Sequence, residues 1–325
     1  MDLIARASPY MAKFDYSGFL SGCGRDIMNI IFECCPMGTL ARFAGTSRDA
    51  RQSVQDYVRL QIHRLLKPFI GLGLSFFVGD CCLLIYWVGS ENLTTFWNLL
   101  TENNSAIVGS IALKVLLNGC DSSWMPQDLN IAVPRGGLRV FSGFLRGLGY
   151  QLSGTGVRSR FIDGAFTHSI YVNSDGNAVT VTEALSTDSF FSVVVGSGHT
   201  GLMNFVSSEH LGCLYPTQTL KEHTAYAYRR CLGTDAYYHL RRRGFDLIMS
   251  SRNHPRNDRL ICPVTHRQLS GFSAIGLFEW MKRTSPSNFL TRSYSWSLGD
   301  ECLNHGCLIQ SLEQYLKKRK YGSEE

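Results

Sequence analysis

The segment from residue 106 to residue 133 constrains the fold more than any other part of the chain. Ala106-Ile107-Val108 has the pattern of a short buried strand, and Gly109-Ser110 has that of a turn. Residues 111–117 then predict a helix, which is followed by a polar loop and a second strand, Asp128–Val133. This order of elements predicts a sheet with helices packed against it.

The turn and the second strand carry the candidate site. Glycine lets the backbone approach a ligand closely, and the amides of a helix N-terminus favour an anion, so Gly109 and Ser110 are candidate phosphate-binding residues. Positions 128 and 130 are two apart in a strand, so their side chains leave the same face of the sheet. Two carboxylates there would hold a pair of magnesium ions for attack on a nucleoside triphosphate.

The order of these elements resembles the DNA polymerase β-type nucleotidyltransferase superfamily, in which a Gly-Ser turn and a helix precede a strand with two acidic residues. Residues 108–134 are also similar to a group of fungal nucleotidyltransferase-like proteins. The residues that carry this similarity are Trp124, Pro126, Asp128, Leu129, Ile131, Val133 and Pro134. Segments 201–205 and 214–217 extend the similarity, so that it covers residues 105–220.

The metal-binding carboxylates of the superfamily are incomplete in this chain. Asp128 takes the first acidic position, but Asn130 stands at the second, and the register of a later strand places Thr180 at the third. An amide binds magnesium poorly compared with a carboxylate. The resemblance therefore implies a pseudoenzyme, a non-catalytic binding or adaptor protein in which the Gly-Ser turn still holds a nucleotide or another phosphate.

An active metal-dependent nucleotidyltransferase is the alternative interpretation. It would need Mg²⁺ at Asp128 and a second acid, for which Glu183 and Asp121 are the candidates. Glu183 is an odd number of residues from position 180, so in a regular strand it faces the other side of the sheet. Unless a β-bulge intervenes, the sequence predicts that Glu183 does not join Asp128.

The N-terminal helices carry a second resemblance. Residues 26–33 and 40–51 are similar to an F-box, a three-helix module that docks on the Skp1 adaptor of ubiquitin ligases. This resemblance implies Skp1 binding through residues 23–66 and, as a further alternative function, a substrate receptor of a ubiquitin ligase. Cys23-Gly24 replaces the usual Leu-Pro opening, and a plain helical module without a partner is the other interpretation.

These observations predict an α+β fold, with a helical N-terminal module followed by a nucleotidyltransferase-like mixed sheet with flanking helices. The predicted parts are an F-box-like module (14–68), an apolar segment with a connecting helix (69–104), the nucleotidyltransferase-like domain (105–220) and a helical or irregular extension (221–325). The local patterns also predict a helix that ends at Pro68, a hairpin turn at residues 173–176, and helices at 217–243 and 274–282.

Composition narrows the partners and the compartment. A formal net charge of +6 favours acidic partners but is far below that of a dedicated nucleic-acid binder, so it gives no strong signal for nucleic acid. Eleven cysteines without a disulfide framework, and a start without a signal-peptide core, predict a reducing cytoplasmic or nuclear location. Residues 69–90 are long and apolar enough to span a bilayer, but Asp80 and several glycines interrupt them, so no membrane contact is expected.

Overall fold

An eight-stranded mixed sheet forms the centre of the protein. The structure is a computed structural model, and it describes residues 24–71, 91–119, 123–157, 164–227, 234–248, 262, 267–269, 275–281 and 294–297. The strands are β1 (Ala106–Val108), β2 (Asp128–Val133), β3 (Gln151–Val157), β4 (Ala165–Val172), β5 (Ala178–Ala184), β6 (Asn204–Val206), β7 (His210–Cys213), β8 (Thr224–Tyr226), β9 (Asp246–Ile248), β10 (Arg267–Gln268), β11 (Gly276–Glu279) and β12 (Ser295–Trp296).

The strand order of the main sheet is β11-β7-β6-β1-β2-β5-β4-β3. Strands β2 and β5 run parallel, and the other neighbouring pairs run antiparallel. The short strands form two further pairs, β8 with β9 and β10 with β12. Strand β2 therefore lies between β1, its antiparallel neighbour, and β5, its parallel neighbour.

Helices precede the sheet and flank it. They are α1 (Arg25–Glu33), α2 (Met37–Ala44), α3 (Arg48–Ile70), α4 (Glu91–Glu102), α5 (Ser110–Leu116), α6 (Leu138–Gly147), α7 (Phe191–Val195) and α8 (Thr234–Arg242). An N-terminal helical segment followed by a mixed sheet is the predicted α+β class, which the structure confirms. The hairpin at residues 173–176 is also confirmed, since β4 and β5 pair antiparallel up to Val172 and Ala178.

Helix α3 does not end at Pro68 as predicted. Its N-terminus is capped by Ser47, whose hydroxyl accepts a hydrogen bond from the Ala50 amide. The helix continues through Pro68 to Ile70 and closes at Gly71 in the left-handed conformation. Burial of Phe69 and Ile70 in the core compensates for the hydrogen bond that a proline removes from the last turn.

Of the two helices predicted in the C-terminal third, the one at 217–243 is only partly confirmed and the one at 274–282 is wrong. Residues 217–243 contain a π-helical turn (Thr217–Glu222), then β8 and, after residues outside the described range, α8. His223 has a positive φ of 51°, which stops the helical path before β8. Residues 274–282 contain β11, which pairs with β7 at the edge of the main sheet. Pairing with a distant strand thus overrides the local helical pattern.

The N-terminal helices share one hydrophobic core with the sheet. Asn118, just after α5, links this helix to α1 and α3 by hydrogen bonds. Its amide nitrogen donates to the carbonyls of Phe32 and Cys35, both at 2.7 Å, and its oxygen accepts from Tyr57 Oη at 2.6 Å. A side chain on the next residue, Gly119, would collide with the backbone of Cys35. The C-terminal end of α5 is therefore held directly against α1 and α3.

No helix in the described parts of the chain is both long and apolar enough to cross a membrane. Residues 72–90 and Asp121 lie outside the described residues. The expectations for the apolar run at 69–90 and for Asp121 as a second acid therefore stay predictions.

Replacement of Asn118 by alanine should destabilise the protein by about 2 kcal/mol, because it removes three side-chain hydrogen bonds in a part-buried position, two to the Phe32 and Cys35 carbonyls and one from the Tyr57 hydroxyl. Urea unfolding followed by circular dichroism measures the change. Gln52→Ala is the matched control, since it removes an exposed hydrogen bond to Asp56 and should cost less than about 0.5 kcal/mol. Equal losses in the two variants would contradict the proposed role of Asn118.

Candidate functional site

The Gly109 turn joins β1 to α5 in a conformation that favours glycine. Its φ of 74° and ψ of −138° lie in a region that other residues rarely adopt. A Cβ built on Gly109 would also lie 3.2 Å from Asn130 Nδ2. The Asn130 side chain on the neighbouring strand therefore packs against the turn on the side where a Gly109 side chain would lie.

Asp128 lies at the centre of a hydrogen-bonded group. Ser110 Oγ donates to one carboxylate oxygen at 3.2 Å, and Asn130 Nδ2 donates to the other at 2.8 Å. The antiparallel pairing of Val108 with Asn130 brings the turn beside β2. The structure therefore brings together the predicted residues Gly109, Ser110, Asp128 and Asn130, and it gives Asp128 two neutral partners.

Thr180 lies next to this group on β5. The parallel pairing of β2 with β5 places Asn130 opposite Thr180 and Asp128 opposite Ala178. The structure therefore places Thr180 beside the predicted site residues, where it offers a hydroxyl and no carboxylate. The side chains at positions 128, 130 and 180 are thus a carboxylate, an amide and a hydroxyl.

Glu183 lies at the opposite end of the β2–β5 pair from Asp128. It pairs with Val133, the last residue of β2, whereas Asp128 is the first. Its carboxylate accepts hydrogen bonds from the Gly136 amide at 2.9 Å, from the Leu138 amide at 3.3 Å and from Thr167 Oγ1 at 2.6 Å. Glu183 therefore holds the N-terminus of α6 and is not a second acid for Asp128.

The residues around Asp128 do not fit a pair of magnesium ions. A two-metal site needs several carboxylate oxygens that converge on the ions. Here both oxygens of Asp128 already accept hydrogen bonds from Ser110 and Asn130. Among the residues that the structure describes, no group of three or more histidine, cysteine, aspartate or glutamate side chains is placed to hold a metal ion.

A cavity of about 630 Å³ opens beside Asp128. Its lining includes residues of β2 and β5 and of the loop before β2. Further lining residues come from segment 199–202, which precedes β6, and from the C-terminal end of α8. The lining side chains are Trp124, Met125, Gln127, Asp128, Ala178, His199, Leu202, His239, Leu240, Arg242 and Arg243. Gly109 and Ser110 are absent from this lining, so the space for a ligand lies beside the Gly-Ser turn and not on it.

Arg243 is the most constrained cation of this cavity. Its guanidinium carbon lies 4.8 Å from the centre of the Trp124 ring. Among the described residues, no carboxylate forms an ion pair with Arg243, whereas Arg241 pairs with Asp246 at 2.6 Å. Partial burial lowers the pKa of Arg243, and the nearby charge of Asp128 acts in the opposite direction.

His199 is buried at the inner wall of the cavity. Only 3% of its surface is exposed, and its Nδ1 atom has no hydrogen-bond partner among the described residues. Burial, and then the positive charge of Arg243, lower its pKa from 6.5 to about 3. His199 is therefore uncharged at neutral pH, and Arg242 and Arg243 supply the positive charge of the lining.

The Trp124 ring packs against core residues and cations. Its neighbours include the small apolar cluster of Leu113, Leu117, Leu240 and Phe245. Lys114 Nζ lies 5.0 Å from the ring centre, so two cations contact this one ring. The ring therefore positions Arg243.

Sequence reasoning missed the cationic lining. The run Arg241-Arg242-Arg243 lies at a helix end, where positive charge is favoured by the helix dipole, so it did not indicate a binding site. Three consecutive arginines were the available signal, but the sequence does not show that the chain after α8 returns to Asp128. His199 gave no local signal at all, because its place in the cavity depends on its isolated bridge to Ala227.

No family model, curated protein or solved structure matches the chain. The resemblances to nucleotidyltransferases and to the F-box therefore remain predictions based on motif residues. The arrangement around Asp128 is the observation from which a function can be inferred.

The low pKa of His199 predicts a specific acid sensitivity. The folded pKa is near 3 and the unfolded pKa is 6.5, so below pH 6.5 the unfolded chain binds one more proton at this residue. Stability is then lost as pH falls from 6.5 towards 3, by up to about 1.4 kcal/mol per pH unit from His199.

Urea unfolding of the wild type and of His199→Gln at pH 7, 6 and 5 checks this expectation. The difference between the two proteins isolates His199 from the other titrating groups, and the variant should show the shallower pH dependence. An NMR titration of the wild type should show a neutral His199 ring throughout this range. A ring that gains its proton near pH 6.5 would contradict the prediction.

Proposed function

We propose that the protein is a non-catalytic binding protein built on a degenerate nucleotidyltransferase-like fold, and that its ligand is a nucleotide or another phosphate compound. The observation that carries the proposal is the hydrogen-bonded group of Asp128 with Ser110 and Asn130. A lone carboxylate with two neutral partners lacks the negative charge that would hold two divalent ions. Nucleotidyl transfer by the two-metal route is therefore not expected.

The cavity beside Asp128 supports a small anionic ligand. Its volume of about 630 Å³ lies within the usual range for small-molecule sites, roughly 300–1,000 Å³. Arg242 and Arg243 oppose the single charge of Asp128, so the lining is positive overall. The ligand would therefore contact the cavity side chains, while Gly109 and Ser110 shape the wall behind them.

The active nucleotidyltransferase remains the alternative hypothesis, and it now has fewer candidate acids. Glu183 is bound to the start of α6, which leaves Asp121 as the acid that this hypothesis needs. We expect purified protein with Mg²⁺ or Mn²⁺ to release no pyrophosphate from nucleoside triphosphates above the protein-free background. Release that disappears in Asp128→Ala would establish the enzyme and contradict the non-catalytic proposal.

A second candidate function, docking on the Skp1 adaptor, is supported by the exposed face of α1. Ile27, Ile30 and Ile31 are 54%, 62% and 40% exposed, although Met28 and Phe32 of the same helix are buried. Neighbouring exposed isoleucines on one helix indicate a surface that another protein covers. The F-box resemblance of this helix motivates Skp1 as the partner, with the whole protein acting as a substrate receptor.

Skp1 should be retained by the full-length protein in a pulldown, and Ile30→Asp should reduce the retention at least about tenfold, because a charge would enter the apolar contact. The full chain is needed because α1 and α3 share their core with the sheet. Val140→Asp, at an exposed site on α6, is the matched control and should bind Skp1 normally. Absence of Skp1 retention, or equal retention by both variants, would remove this candidate.

We also propose the cytoplasm or the nucleus as the location. The described cysteines, Cys34, Cys35, Cys213 and Cys262, are all free thiols. Buried free thiols such as Cys213 accord with a reducing compartment. Fluorescence microscopy of the tagged full-length protein would distinguish these two compartments from a secretory location.

A further inference from the structure

Arg243 places a positively charged side chain near Asp128 in the cavity. We propose that Arg243 takes over the charge-balancing role that a divalent ion has in nucleotidyltransferases, so that the cavity binds phosphate groups without any metal. The inference rests on the proposed function, because it names how the same cavity recognises its ligand. It follows from three features of the lining: the available charge of Arg243, its fixed position, and the occupied oxygens of Asp128.

The first feature is that the charge of Arg243 is available. Within the described part of the chain, no carboxylate pairs with it, and its contact is with the face of Trp124. Its neighbour Arg241 is already neutralised by Asp246. A guanidinium that is partly buried beside an aromatic ring keeps its donors for a ligand, and its planar shape suits two oxygens of one phosphate.

The second feature is that Arg243 is held in place before any ligand arrives. It directly follows α8, and Gly244 closes that helix with a φ of 82° and an amide N–H that donates a hydrogen bond to the Arg241 carbonyl. The Trp124 ring then limits the side chain from one face. A cation that is already ordered loses less conformational entropy on binding, so its contribution to affinity is larger.

The third feature is that Asp128 opposes an anion. Its oxygens accept from Ser110 and Asn130, which stabilise the carboxylate without a metal ion. A phosphate in the cavity would therefore meet the negative charge of Asp128, which acts against the attraction of the nearby Arg243. Arg242 and Arg243 outweigh this charge, but removal of it should improve anion binding. A metal-dependent site predicts the opposite result for the same substitution.

Isothermal titration calorimetry of the full-length protein tests the inference with inorganic pyrophosphate and with adenosine triphosphate as probes. Each titration is run with Mg²⁺ and with a chelator in place of Mg²⁺. We expect at least one probe to bind in the chelator, with affinity that Mg²⁺ improves by no more than about twofold. Binding of both probes indicates recognition of the phosphates alone, and binding of the nucleotide only indicates that the base also contributes.

Substitutions then assign the charges. Arg243→Gln should weaken binding about tenfold or more, the usual loss for a charge-assisted hydrogen bond, and Arg243→Lys should recover only part of it because the planar fork is gone. Asp128→Asn should strengthen binding several-fold. Arg241→Gln is the matched control on the same helix end and should change affinity less than twofold, since its partner is Asp246. Thermal unfolding of each variant confirms that it is folded.

The outcomes separate the two proposals. Binding that requires Mg²⁺ and is lost in Asp128→Asn would overturn the metal-free inference and leave the binding function intact. Metal-free binding that Arg243→Gln leaves unchanged in a folded protein would overturn the role of Arg243. No binding of either probe under either condition would overturn the proposed phosphate-binding function together with the inference.

Discussion

The antiparallel pairing of β1 with β2 is the constraint on which the site depends. It places Val108 opposite Asn130, and so it brings the Gly109 turn and Ser110 against Asp128. The same strand β2 then pairs in parallel with β5, which adds Thr180 beside Asn130. The pairing of β2 therefore brings Ser110, Asp128, Asn130 and Thr180 together. The chemistry of these four side chains then determines whether the group can bind a metal ion.

An amide at position 130 changes the electrostatics of that meeting point. Two carboxylates in adjacent same-face positions repel each other, and a divalent cation relieves the repulsion. The Asp128–Asn130 pair has no such repulsion, because the amide donates a hydrogen bond at 2.8 Å. The group is thus satisfied by protein atoms alone. Arg243 can approach Asp128 closely enough for the two charges to interact, in a region where two metal ions would have repelled it.

Local sequence pattern predicted the elements around the Gly109 turn. The structure of the C-terminal third depends on contacts between residues far apart in the chain. The alternation in Asp128–Val133 and the glycine after β1 are local signals, so β2, the turn and the Thr180 register followed from the sequence. Strand β11 was mistaken for a helix because its partner, β7, lies far away in the chain. The arginines of the cavity lining were missed for the same reason, because Arg243 lies between α8 and β9, and β9 pairs with β8 from an earlier part of the chain.

Helix α5 connects the two surfaces to which functions are assigned. Its first residue, Ser110, donates to Asp128 at the cavity, and Asn118 just beyond its C-terminus binds the carbonyl of Phe32 in α1. The exposed isoleucines lie on the outer side of that same helix α1. Residues of α1, α3, α5 and the sheet share one hydrophobic core, so packed side chains connect the exposed isoleucines of α1 to the wall of the Asp128 cavity. The short buried helix α5, with polar contacts at both of its ends, lies within this connection.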